Sequence, residues 1–245
     1  MLSRSYLVLI LVFLGIIIAV SSSNSLLDVP KNTVTDLSWP NCDNTSVAYD
    51  GIIGVNGGLD FHPNPCLYNE SKLFNTYTLY INTGYPGINY GRKFSSFPLQ
   101  CDQNNYLCLA YNYGYNAAKY SITYASSQSV HAFTWWLDVE NSNSWTDKVL
   151  QNRASLTGMV DALKKYTLLP TIGFYSYPGQ WDSITGNWRN GFPVWVATGS
   201  TKLSDAILFC KNENFTGGDT WLSQYTSGLD HNYVCSNDYV NHKQL

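Results

Sequence analysis

The stretch Phe133-Thr134-Trp135-Trp136-Leu137-Asp138-Val139-Glu140 decides how this sequence folds. Side chains of a β-strand alternate between its two faces. As a strand, the stretch puts Phe133, Trp135, Leu137 and Val139 on one side and Trp136, Asp138 and Glu140 on the other. The apolar side suits packing under helices. The other side starts with an aromatic ring and finishes with two acids at i and i+2, both at the strand's C-terminal end. In a barrel of parallel strands alternating with helices, that end opens into the mouth where sites are built. A lone acid there reads as an ordinary polar strand end; two on one face, following a Trp, point to chemistry.

Further strand-length apolar runs bounded by Gly, Pro, Asn or Ser cover Thr33 to Leu37, Gly51 to Val55, Tyr77 to Asn82, Thr171 to Tyr175, Pro193 to Ala197 and Trp221 to Tyr225. Between two of them, Thr146 to Tyr166 carries Val149, Leu156, Met159, Val160 and Leu163 at helical spacing, with Asp147 near its start and Lys164-Lys165 near its end, matching the helix dipole. Weaker helical patterns cover Pro65 to Phe74, Tyr113 to Ala125 and a segment opened by Pro178. Strand and helix thus alternate through the first two thirds, and three strands with little helix between them follow. The expectation is an α/β fold, an irregular TIM-type (β/α) barrel of parallel strands. No Pro/Ser linker, charge block or internal repeat divides the chain, so residues 23–245 read as one domain.

The first 22 residues read as a signal peptide: Arg4, an apolar run from Tyr6 to Val20, then small residues around Ser21. The run is short for a membrane span of about 20 residues, and no later segment is long and apolar enough to be one. A secreted chain with no membrane attachment after cleavage is expected, with an uncleaved N-terminal anchor as the alternative. Its six cysteines, Cys42, Cys66, Cys101, Cys108, Cys210 and Cys235, then form disulfides in an oxidising compartment. Of the possible pairings, only Cys101 with Cys108 is suggested by closeness, both sitting in one polar loop. No CxxC pair exists and the four histidines are scattered, so no metal or other cofactor is implied. Sequons at Asn44, Asn69 and Asn214 permit N-glycosylation.

Composition removes other classes. Of the 245 residues, 44% are hydrophobic, 15% aromatic and only 13% charged, which excludes intrinsic disorder and a coiled coil. Fourteen Lys plus Arg against seventeen Asp plus Glu give a net charge of −3 with no basic block, so nucleic acid is a poor partner. No Gly-x-Ser-x-Gly elbow accompanies the Asp230-His231 pair, whose side chains point apart on a strand, and neither Gly57-Gly58 nor Gly217-Gly218 has the sequel of a phosphate loop. The acids at 138 and 140 match the needs of glycoside hydrolysis: one carboxyl kept protonated for the leaving oxygen, and a second group to stabilise positive charge on the sugar.

Six motifs in order carry a family resemblance: Asp36-Leu37-Ser38-Trp39, Leu137-Asp138-Val139-Glu140, Gly173-Phe174-Tyr175-Ser176, Val194-Trp195-Val196-Ala197, Gln224-Tyr225-Thr226-Ser227 and Leu229-Asp230-His231-Asn232-Tyr233. Together they make the sequence similar to the glycoside hydrolase family 25 muramidases, and more closely to a secreted bacterial and archaeal branch of that superfamily without an assigned function. The resemblance implies a barrel of about five β/α units plus three closing strands. It gives Glu140 the position of the general acid and Asp138 that of the carboxylate serving an acetamido group or the oxocarbenium-like centre. Asp36 and Asp230 complete a ring of acids at the mouth, and Tyr175, Trp195 and Tyr225 line sugar subsites; Trp136 joins them from the alternation of its strand. Core packing is the reading for Trp135 and Trp221. Gly54-Val55-Asn56-Gly57-Gly58 and the Cys101 to Cys108 insertion depart from the family. The function implied is a monomeric, secreted glycosidase acting on an N-acetylated polysaccharide, above all peptidoglycan. The alternative is a non-catalytic carbohydrate-binding or cell-surface barrel protein. The acidic net charge suits anionic bacterial walls poorly and leaves a neutral glycan open.

Overall fold

In the computed structural model, residues 32–46 and 48–242 are described; the apolar leader and the expected cleavage site lie outside them. Eight strands close into a barrel in chain order: β1 (Thr33–Leu37), β2 (Ala48–Gly54), β3 (Phe74–Asn82), β4 (Thr134–Asp138), β5 (Thr171–Ser176), β6 (Val194–Ala197), β7 (Thr220–Ser227) and β8 (Leu229–Val234). Neighbours from β1 to β7 are parallel, and β8 runs antiparallel to both β7 and β1. Seven helices are described: α1 (Leu67–Ser71), α2 (Ile88–Gly91), α3 (Tyr106–Ser127), α4 (Val149–Tyr166), α5 (Pro178–Thr185), α6 (Leu203–Asn212) and α7 (Asn237–His242).

The alternation in β4 does what it should. Trp135, Leu137 and Val139 sit in a core with Ala118 and Ile122 of α3 and Leu156, Met159 and Leu163 of α4, while Trp136 turns into the barrel lumen. Phe133 precedes the strand and is only half-buried. The two long helices approach through glycine. A Cβ on Gly114 would stand 1.9 Å from the Ser155 carbonyl oxygen and one on Gly158 2.1 Å from that of Tyr111, so backbone meets backbone. Helix ends follow their local chemistry. The Asn105 side chain accepts the Cys108 amide at the start of α3 (3.1 Å), Pro178 opens α5, and Gly186 closes α5 at a left-handed φ of 60°.

Two expectations need correction. The last third is not bare of helix: α6 fills the β6 to β7 crossover, because a parallel connection must return to the same end of the sheet. Cys108 lies in the first turn of α3 and not in a loop with Cys101, although the two are bonded. Cys42–Cys66 ties the segment after β1 to the start of α1, and Cys210–Cys235 ties α6 to the end of β8. Closing loops of 24 and 25 residues, each of the latter removes unfolded-chain entropy worth about 3 kcal/mol.

The lumen has two layers. Its floor is apolar: Val34, Ile52, Trp136, Trp221, Leu222 and Tyr239, the last brought by α7, which closes the bottom. Trp136 fits because its neighbour on β5 is Gly173, where a Cβ would stand 2.3 Å from the indole ring. Above this floor the side chains become polar.

Candidate active site

The mouth contains a cavity of about 210 Å³ lined by Asp36, Ser38, Trp39, Gly58, Tyr80, Asn82, Asp138, Glu140, Tyr175, Trp195, Gln224 and Asp230. Asp36 and Asp138 lie near the C-terminal ends of β1 and β4, and Glu140 follows β4. Asp230 arrives from the other direction. A hairpin at Gly228, with φ of 79°, reverses the chain so that Asp230 stands opposite both Thr226 and Asp36 at the start of the antiparallel strand. Thus all four acids face one space, and no Lys or Arg lines it.

A fixed polar frame holds them. Asp36 Oδ2 accepts Asn232 Nδ2 (2.7 Å) and Gln224 Nε2 (3.2 Å). Each amide's orientation is set by an aromatic donor on its oxygen: Trp195 Nε1 donates to Asn232 Oδ1 (2.6 Å) and the Tyr175 hydroxyl to Gln224 Oε1 (2.6 Å). Asp138 is similarly served by Asn82, whose amide donates to Oδ2; Asn82 in turn exchanges two hydrogen bonds with buried Asn56 (2.8 and 2.9 Å). Asp138 Oδ1 is buried and has no partner. Asp230 accepts the Thr226 hydroxyl (2.7 Å).

Burial without a compensating cation raises the acids' pKa values. Asp36 is pushed up from 3.8 to about 7, by burial first and by Asp230 second, against the two amide bonds. Asp138 is raised well above the carboxylate range by burial and then by Glu140, with the Asn82 bond opposing. Glu140, only half-buried, is raised by burial and then by Asp230. The site can therefore hold a proton on an acid near neutral pH while presenting other carboxyl groups to developing positive charge.

Tyr175 and Trp195 line the cavity, with ring centroids 4.4 Å apart. Trp136 and Tyr225 do not line it. Trp136 is on the correct face but one layer too deep; it is fully buried beneath Trp195, its indole nitrogen donating to Thr78 (3.3 Å). Tyr225 falls on the wrong face, because Gln224 is the inward residue of its strand, and its ring lies against His231 outside the barrel (5.6 Å). The frame residues Asn82, Gln224 and Asn232 were not picked out from the sequence. Alternation marks Gln224, two residues beyond inward Leu222, and Asn232, two beyond Asp230; only the closed barrel shows that their amides meet Asp36. Trp39, 49% exposed, is a further aromatic at the cavity's rim. Among the described residues no group of three or more His, Cys, Asp or Glu is placed to hold a metal ion, and no helix is long and apolar enough to cross a membrane.

With this geometry in view, the molecule is a closed eight-stranded α/β barrel with an acid-lined mouth. Residues 103–217 match the profile of a family described as Lysozyme-like protein 1. That stretch includes Asp138, Glu140, Tyr175 and Trp195 but neither Asp36 nor Asp230. No curated protein matches the chain. Among solved structures, it resembles a glycosyl hydrolase 25 of Streptococcus pneumoniae described as a virulence factor participating in host cell invasion (17% identity, 83% of this chain and 87% of that one, TM-score 0.49). It also resembles a muramidase from Trichobolus zukalii (15%, 85% and 96%, TM-score 0.48) and a bacterial lysozyme from Streptomyces coelicolor (14%, 82% and 91%, TM-score 0.45).

Proposed function

We propose that this chain is a secreted glycoside hydrolase that cleaves an N-acetylated polysaccharide, with peptidoglycan as its substrate. The observation that carries this reading is the pairing of Asp138 and Glu140 at one mouth, both with raised pKa and with no cation to neutralise them. The match of residues 103–217 to a lysozyme-like family supports it, and three disulfides suit an exported protein.

Each acid has a role that its surroundings suit. Glu140 is the general acid: half-buried at the rim, with its pKa raised by burial and by Asp230, it is the carboxyl group placed to deliver a proton to the departing glycosidic oxygen. Asp138, deeper and held through one oxygen by Asn82, lines the cavity as the carboxyl group that serves the substrate's acetamido group or the charged centre. Repulsion between Asp138 and Glu140 favours one proton shared by the two; with that proton on Glu140, Asp138 is the carboxylate that stabilises the oxocarbenium-like centre. Asp36 and Asp230 complete the acidic wall and add to the field felt by that centre. Tyr175 and Trp195, both buried, form the base of the cavity on which the apolar face of a pyranose rests.

The deciding experiment incubates the purified protein with bacterial walls and with a chitin-like polymer and reads the fragments by mass. Glycan fragments with new reducing ends are expected from walls. Binding to walls with no fragment from either polymer would overturn the reading in favour of a non-catalytic carbohydrate-binding protein.

A further inference from the structure

A second cavity of about 330 Å³ adjoins the acid-lined one and shares Gly58 with it. It lies between the loop after β2 and the segment carrying α2, in the region where the sequence departs from the muramidase pattern. Its character is different. Phe61, Tyr90, Phe94 and Tyr113 form aromatic walls, and the charged side chains among its lining are Asp60 and Lys93. The walls are firmly set. Phe61 and Phe94 stack with centroids 5.2 Å apart and planes 7° from parallel, and Tyr113 meets each edge-on at 5.5 and 5.8 Å. Phe61 holds a left-handed backbone, φ 62°, which a bulky residue adopts only when its surroundings compel it.

Asp60 is the unexplained group. The Tyr113 hydroxyl donates to its Oδ2 (3.1 Å), yet Oδ1 is sealed from solvent with no hydrogen-bond partner, and burial pushes the carboxyl from 3.8 up to about 8. Lys93 is not paired with it; its ammonium stands over the Tyr90 ring, 4.8 Å from the centroid. A half-buried acid with one oxygen lacking a donor, an unpaired ammonium at the rim and aromatic walls lining the same cavity together complement a ligand that carries both charges.

We propose that this cavity binds a zwitterionic amino-acid group, its ammonium against Asp60 and its carboxylate against Lys93, so that the substrate of the neighbouring acid site is a glycan bearing a peptide. The link to that substrate rests on the glycosidase reading; the binding site itself does not. An ammonium drawn against the Asp60 carboxyl adds an opposite charge beside it and favours its ionised form. Position gives the pocket its use: a peptide branch seated there anchors the sugar that carries it beside Asp138 and Glu140, and a plain N-acetylated glycan leaves the pocket empty.

Isothermal titration of the purified protein tests this with three probes: a muramyl disaccharide carrying a tripeptide that ends in diaminopimelate, the same disaccharide without peptide, and the tripeptide form with its distal amine acetylated. The peptide-bearing probe is expected to bind about tenfold or more tighter than the bare disaccharide, and acetylation to remove most of that advantage. Asp60→Asn retains the Tyr113 contact and should lower the ratio of the two affinities about tenfold; Lys93→Met, at the exposed rim where folding is not at risk, should lower it about threefold. Equal affinities in the wild type, or a ratio unmoved by both variants, would overturn the proposal. Peptide-dependent binding without cleavage of any wall would uphold the pocket while overturning the glycosidase reading.

Discussion

Trp136 and Asp138 stand two residues apart on the same face of one strand, yet they belong to regions with opposite demands. The floor of the lumen packs aromatic rings tightly: Trp136 lies 5.8 Å from Trp195, 6.3 Å from Trp221 and 6.5 Å from Tyr239, and it is fully buried. One layer higher, the mouth gathers four acids around an open cavity with no cation among them. The floor lowers free energy by removing apolar surface from water. The mouth raises it by crowding like charges, and proton uptake on the acids relieves part of that cost. The contrast suggests a division of labour in which the lower layer stabilises the barrel and the upper layer is kept strained for chemistry.

The largest expected effect tests the mouth. Glu140→Gln keeps the side chain's size but removes its proton-donating carboxyl, so wall hydrolysis should fall about 10²–10⁴-fold while thermal stability stays level or rises. Equal hydrolysis rates for variant and wild type would remove Glu140 from the acid's role. Next comes the floor. Trp136→Ala should cost about 3–5 kcal/mol in chemical denaturation. If the variant's stability were unchanged, the aromatic layer would not be the structural partner described here.

A pH comparison separates the layers further. Because Asp36 has its pKa raised from 3.8 to about 7, the folded protein holds a proton between those values that the unfolded chain has released. Its stabilising contribution is therefore full below about pH 4 and is lost as pH rises through about 7. Relative to wild type, Asp36→Asn should gain on the order of 2–4 kcal/mol between pH 4.5 and pH 8, measured by urea unfolding with disulfides intact. Stability curves running parallel across that range would mean that Asp36 is not protonated in the fold. The smallest effect belongs to the outer face. His231→Ala should change stability by no more than about 1 kcal/mol and leave hydrolysis unaltered, since the imidazole faces Thr35 and Tyr225 outside the barrel. A large loss of activity would mean that the mouth reaches further around β8 than its lining residues indicate.

Whatever depends on local period and residue type is legible in the chain before it folds. The alternation of Thr134–Asp138 gave a strand with one face for helices and one for the lumen, and the pattern over Val149–Tyr166 gave a helix. The Asp138 and Glu140 pair was legible for the same reason, since two residues at i and i+2 share a face wherever the strand is placed. Depth within the lumen was not legible, and so Trp136 could be assigned to the correct face but to the wrong layer. The helix α6 was missed because its single fully buried apolar residue, Ala206, leaves little periodic signal. It takes the folded barrel to show that Gln224 and Asn232 turn their amides to Asp36, that Tyr225 points away from the mouth, and that Asp60 Oδ1 lacks a donor beside Phe61. These facts depend on strand register and on contacts between segments up to 196 positions apart, such as Asn232 with Asp36. Such pairings are fixed when the barrel closes, and no local pattern along the chain encodes them.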